Sequence, residues 1–214
     1  MLQPIVELDR LVSVSAQPHA IAVDGDTIYV SSRATQGIDI IDRTGWNKRA
    51  AIDTPGMPWG MTFGDGELVM TCGETPDDYR RIRRYVPQRG FRDGFMACPD
   101  DTGSHLALYQ NRVLLAQWYN KVLLHIDDEV GILRRYDAPH GIAGVATVGD
   151  DAYILGTDDE DAGEYWITRL SLLTGHAEDV ATVPFHARGL AWDGQRFWTN
   201  FREGDRVIAF RLPG

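Results

Sequence analysis

The stretch PHAIAVDGDTIYVSS, residues 18–32, decides the fold. An apolar run with a two-residue rhythm leads to Asp24-Gly25, and a second such run, TIYVSS, leaves it. Asp-Gly between two alternating runs is a strong short-range hairpin signal, because the tight turn needs the positive φ that Gly and Asp tolerate. The figure returns four times: PWGMTFGDGELVMTC from Pro58, SHLALYQNRVLLAQW from Ser104, PHGIAGVATVGDDAYILGT from Pro139 and HARGLAWDGQRFWTN from His186. Their turns fall at Gly64-Asp65-Gly66, Gln110-Asn111, Gly149-Asp150-Asp151 and Asp193-Gly194.

Each hairpin is followed by a polar loop and two more strand-like runs, such as GIDIID (37–42) and KRAAIDT (48–54) after the first. In the second unit these are RRIRRYVP (80–87) and FRDGFMA (91–97). Four strands in about 40 residues is the period of a propeller blade. The fifth unit stops after its third strand, RVIAFRL (206–212), whereas PIVELDRLVSV (4–14) precedes the first hairpin without a unit of its own. An N-terminal strand that completes the last blade closes the ring and leaves no open sheet edge. The prediction is an all-β, five-bladed β-propeller with four antiparallel strands per blade. The whole chain, 1–214, forms one domain, with blades near 18–54, 58–97, 104–137, 139–183 and 186–212 plus 4–14.

The length suits a single core without staples. A net charge of −10 argues against a nucleic-acid partner, since that affinity is built on clustered Lys and Arg. The exception, Arg80, Arg81, Arg83 and Arg84, lies on a predicted strand that splits it between two faces. No apolar run reaches the roughly 18 residues of a membrane span, and no signal peptide is visible at the start. Cys72 and Cys98 form neither a metal motif nor a disulfide framework; they are expected as free thiols, too far apart to bond, in a reducing cytoplasm. A monomer with a small-molecule ligand is the expected state.

The blade phrases PHAIAVDGDTIYVSS and GLAWDGQRFWTNFREGDRVIAF resemble the repeats of NHL-type propellers and their relatives, the gluconolactonase/regucalcin group and streptogramin B lyase. The resemblance covers the whole chain but rests on blade-building residues, so it implies fold more than function. Those relatives generally have six or seven blades, and this chain has room for five. Glutaminyl cyclases of the plant and bacterial type have five, but their F-T-Q-G-L segment is absent here.

In such a ring the innermost strands line a channel, and side chains where those strands begin converge on one mouth. The residues at that position are His19, Trp59, Ser104 with His105, His140, and His186 with Arg188. Four of the six histidines fall there; His125 and His176 do not. Three readings stand side by side. His19, His105, His140 and His186 can hold a divalent transition metal such as Zn, Fe, Ni or Cu. Alternatively, His19, His140 and His186 serve as acid and base without a metal, since imidazole titrates near neutrality. The third reading leaves the histidines structural. The resemblance to streptogramin B lyase implies a histidine base with magnesium and is compatible with either of the first two. The Glu/Asn/Asp metal set of the regucalcin group finds only Asn200 as a counterpart.

Arg188 is suited to anchor a carboxylate. The loops between second and third strands should form the rim, with Tyr79, Trp118, Tyr119 and Phe201 as stacking surface and Asn200 beside them. Glu74 and Asp158 to Asp161 suggest an acidic rim that attracts a cation. No nucleophile elbow, phosphate-binding glycine loop or H-E-x-x-H occurs. The expected function is a lyase, cyclase or hydrolase of small metabolites; the alternative is a non-catalytic ligand- or protein-binding propeller.

Overall fold

The computed structural model describes every residue except Pro76, Val130 and Ala162. Five antiparallel sheets stand around a central axis. Their inner strands are Pro18–Asp24, Met57–Gly64, Leu106–Tyr109, Gly141–Val148 and Ala187–Trp192. Each packs against the inner strands of both neighbouring blades, which closes the ring. Burial falls outward. In blade one the inner strand has five buried residues of seven, and the outer strand Asn47–Asp53 has one of seven. The core therefore lies where inner and middle strands of adjacent blades face each other. Among the described residues no helix is long and apolar enough to cross a membrane.

The hairpins form where the turn residues permit them. Asp65 and Gly66 have φ of 52° and 77°, and Gln110 and Asn111 have 51° and 61°. Two consecutive positive φ values are what a two-residue primed turn requires.

The last blade is completed by the N-terminal strand. Val6–Val12 runs antiparallel to Arg206–Arg211 at the outside of blade five. The chain before it also ties blade four: Ile5 N donates to Thr182 O at 2.9 Å, and Thr182 N donates to Gln3 O at 3.0 Å. Arg10 lies over the rings of Phe185 and Phe201, and Arg196 pairs with Asp9.

Blade two departs from expectation. Its outer edge is not one strand over 91–97 but two short pieces, Gly90–Phe91 and Met96–Ala97, both paired with Arg80–Val86. Between them the chain loops out at Gly94, with φ of 79°, and Gly94 O accepts a bond from Arg83 Nη1 at 2.7 Å. Phe95 lies beneath the guanidinium groups of Arg81 and Arg83. Cys98 thus follows the last strand piece rather than lying in it, while Cys72 sits in Glu67–Gly73. Both are buried free thiols, and burial pushes each up to about 12.

The inner strands share one irregularity that builds the site. In blade one Pro18 pairs with Ser32 and Ile21 with Val30, so His19 and Ala20 face Ser31 alone. In blade two Pro58 pairs with Cys72 and Gly60 with Thr71, leaving Trp59 unpaired. In blade three Ala116 O accepts from Ser104 N and Ala116 N donates to His105 O, both at 2.8 Å. In blade four Ala143 is the extra residue between Ile142 and Gly144; in blade five Gly189 and Leu190 lie between Arg188 and Ala191. A bulge re-aims the side chain it carries, and here every blade has one at the same height.

Candidate functional site

His19, Trp59, Ser104 and Ala143 each lie five residues before the last residue of their inner strands. All four line a cavity of about 260 Å³ at one mouth of the channel. Around them stand Arg33, Arg202, Trp118, Tyr119 and Glu160, supplied by loops between second and third strands. Arg80, at the start of its strand, and Arg188 complete the arginines. The opposite mouth is lined by the far ends of the inner strands and by turn residues, and Asp65 is the only titratable side chain among its described lining residues. The ring therefore has one chemically equipped end.

His19 and His105 are stacked there, with ring centroids 5.5 Å apart, and Trp59 meets His19 edge-on at 5.3 Å. Both imidazoles are 5% exposed. Burial holds His19 well below the usual histidine range, reinforced by His105 and then by Arg188, Arg202 and Arg33. Burial likewise pushes His105 down to about 3, with Arg188 and Arg80 adding to the effect. At neutral pH both rings are uncharged, because a low-dielectric site crowded with guanidinium groups penalises a further cation. Among the described residues the buried Nδ1 of His19 has no hydrogen-bond partner. Asn200, wholly buried behind it, donates from Nδ2 to His19 O at 2.9 Å and fixes the backbone that carries the ring.

Arg188 is 2% exposed and held on two sides. Its Nη1 donates to Tyr165 Oη at 2.6 Å and its Nη2 to Glu160 Oε2 at 2.9 Å. Arg80 lies 4.2 Å from the centre of the Trp59 ring and pairs with Asp78, which also accepts from Trp59 Nε1 at 3.0 Å. Arg33 lies over the same ring at 5.5 Å. The remaining arginines of the cluster at 80–84 are paired: Arg81 and Arg83 share Glu74, and Arg84 meets Glu67 and Asp128.

His140 and His186 do not join this set. Each lies three residues before the extra residue of its blade, Ala143 or Gly189, in the connection that enters the strand. His140 stacks on Trp166 at 4.1 Å, its Nδ1 2.9 Å from Asp158 and its Nε2 3.2 Å from Asp179. His186 stacks on Tyr165 at 5.7 Å and lies 3.9 Å from Glu203. It lines a separate apolar cavity of about 640 Å³, together with Phe185 and Phe201. The four-histidine convergence expected from the sequence is thus two histidines at the mouth and two elsewhere. Among the described residues no three His, Cys, Asp or Glu side chains are arranged to hold a metal ion. His19 and His105 alone do not supply the three or four donors that a transition metal takes.

Of the expected rim, Trp118 and Tyr119 are in place, whereas Tyr79 is half exposed outside the cavity and Phe201 serves the other one. The acidic rim is largely spoken for: Glu74 by Arg81 and Arg83, Asp158 by Lys121 and His140, Glu160 by Arg188. Sequence reasoning passed over Arg33 and Arg202 as ligand-facing groups and read Glu160 as a cation-attracting rim carboxylate, whereas it pairs with Arg188. The signal was present, since both arginines occur in loops read as the rim, SSRATQG and NFREGD.

No family model matches this sequence, and no curated protein matches it at a significant level. Among solved structures it is similar to glutaminyl cyclase from Myxococcus xanthus, at TM-score 0.72 and 9% identity over 98% of both chains. Hydrazine synthase from Kuenenia stuttgartiensis matches at TM-score 0.58 and 15% identity, over 92% of this chain and 65% of that one. Virginiamycin B lyase from Staphylococcus aureus matches at TM-score 0.55 and 14% identity, over 96% and 99%. At such identities the likeness is one of fold, and it agrees with the propeller resemblance read from the repeats.

Proposed function

We propose that this chain is a small-metabolite enzyme of lyase, cyclase or hydrolase type, with His19 and His105 handling the proton at the channel mouth. The observation that carries the reading is the pair of buried, uncharged imidazoles in a cavity walled by arginines, one of them with an unbonded Nδ1. Among the described residues Nε2 of His125, Oδ1 of Asn200 and Oδ2 of Asp39 are buried and unpaired as well, so it is the arginine-walled cavity around the imidazole pair that singles this site out. Two of the similar folds belong to a cyclase and a lyase, which supports a catalytic use of this architecture.

An imidazole held so low is a weak base in the empty site. A proton acceptor works best with a pKa near the working pH. A substrate that brings negative charge offsets the guanidinium field and raises both rings toward that range. Neutral imidazole can meanwhile donate a hydrogen bond to a developing oxyanion, and Arg188, preorganised by Tyr165 and Glu160, can stabilise the same charge.

The test compares the native chain with His19→Ala and His105→Gln in pooled small-molecule extracts followed by mass spectrometry. A compound consumed by the native chain, and spared by both folded variants, is the expected result. Identical extracts for all three proteins would leave the non-catalytic binding propeller as the better reading.

A further inference from the structure

We propose that the ligand of the mouth is a small monocarboxylate with a flat body, its carboxylate gripped by Arg33 and Arg202 and its body lying against Trp59 and Trp118. This rests on the mouth being the ligand site. It starts from charge. The protein carries a net −10, yet this cavity is walled by four arginines and one carboxylate, Glu160. An acidic protein that gathers cations at one point concentrates anions there.

The arginines are not equivalent. Arg188 is committed to Glu160 and Tyr165, and Arg80 to Asp78. Among the described residues the ion partner of Arg202 is its chain neighbour Glu203, at 3.2 Å, with the arginine side chain 15% and the glutamate 43% exposed. Arg33 has no carboxylate within ion-pair distance among the described residues; what it touches is the face of Trp59. Arg33 and Arg202 come from equivalent loops of adjacent blades, and both act on His19. A guanidinium fork matches a carboxylate in geometry as well as charge. An anion held there lies beside the imidazole expected to move the proton.

Size and shape narrow the class further. A cavity of about 260 Å³ holds roughly nine waters at about 30 Å³ each. That is the bulk of a single ring bearing one carboxylate. The two indoles favour a flat body over a branched chain, since aromatic faces gain most from an offset stacked partner.

Benzoate and its neutral isostere benzamide are suitable probes, with quenching of the tryptophans as the readout. Benzoate should bind saturably, and at least about tenfold more tightly than benzamide, a difference of about 1.4 kcal/mol. Arg33→Gln and Arg202→Gln should each weaken benzoate about tenfold and leave benzamide unchanged. Arg33→Lys should recover part of the loss, because it restores charge without the fork. Benzoate affinity should also rise as pH falls from 7 toward 5, since charged imidazoles favour the anion. Arg33 is on an exposed loop, so its variants should melt like the native chain. Equal binding of the two probes, undiminished benzoate binding by the Arg33 variants, or no saturable benzoate binding would each overturn the inference. The two proposals fail separately. Arginine-dependent benzoate binding without pH coupling, or with coupling that survives His19→Ala and His105→Gln, removes the acid–base role and keeps the carboxylate site. Unselective binding whose pH coupling those variants abolish does the reverse.

Discussion

Pro18-His19 and Pro139-His140 are the same dipeptide before similar strands, yet they enter different chemistry. His19 sits within its strand at the bulge, buried beside His105 and Trp59, with an unbonded ring nitrogen. His140 precedes its strand by one residue and lies between the carboxylates of Asp158 and Asp179. Ala143, not His140, occupies the place that corresponds to His19. A three-residue slip along one repeat separates a cavity-lining imidazole from one bound into the rim. Register relative to the bulge decides which role the same residue type plays.

The largest way to disturb one side of this comparison is at the backbone behind His19. Gly189 has φ of 69°, and a Cβ there would lie 2.7 Å from His19 O. Gly189→Ala should therefore cost about 2–4 kcal/mol, from left-handed strain plus displaced backbone. At the other site, a Cβ on Gly156 would meet the His140 Cβ at 2.8 Å, so that backbone must also shift, but Gly156 lacks a positive φ and adds no left-handed strain. Gly156→Ala should cost clearly less. Thermal unfolding of both variants checks the order, and equal losses would show that the mouth has no special rigidity.

Acid should act next, and through the mouth. His19 and His105 bind protons more weakly in the folded chain than at their ordinary pKa of 6.5. The unfolded chain therefore takes up more protons below that pH. Their contribution to stability is whole above about pH 6.5 and is lost as pH falls, for His105 until about 3, by up to about 1.4 kcal/mol per pH unit for each ring. His105→Gln should flatten the stability curve over this window. A curve as steep as the native one would remove the buried, uncharged state assigned to His105.

A smaller effect is expected at the rim. His140→Gln surrenders at least one bond to a carboxylate in a partly exposed setting, which should cost about 1 kcal/mol. Benzoate binding should not change. A variant that loses the ligand while keeping its fold would bring His140 back to the site.

Much of the architecture was legible because its signals are local. The turns at Asp65-Gly66 and Gln110-Asn111 announce hairpins through residues that accept positive φ, and the strand at 4–14 finds its blade by elimination. The broken outer edge of blade two was not legible. Its loop depends on Arg92 reaching Glu67 and on Phe95 lying under two arginines, contacts between residues distant in sequence. The site was half legible. Aligning the repeats forward from Pro-His placed His19 and Trp59 correctly and misplaced His140. Counting back from the hairpin turn finds His19, Trp59, Ser104 and Ala143 together, because in the first four blades the bulge lies at a constant distance from the turn, while in blade five Gly189 lies only three residues before the strand end. The roles of Arg33 and Arg202 depended on which carboxylates pair elsewhere, and pairing is a property of the folded ring.

In the proposed function, His19 and His105 alone of the six histidines face the ligand. Imidazole NMR signals, assigned by single substitutions and followed from pH 8 down to about 4 with and without benzoate, test it most directly. His19 and His105 should stay uncharged well below pH 6.5 in the empty protein, and their signals should both move on adding benzoate, while those of His125, His140, His176 and His186 should not. Ordinary titration of His19 and His105 near 6.5, or a benzoate response centred on His140, would contradict it.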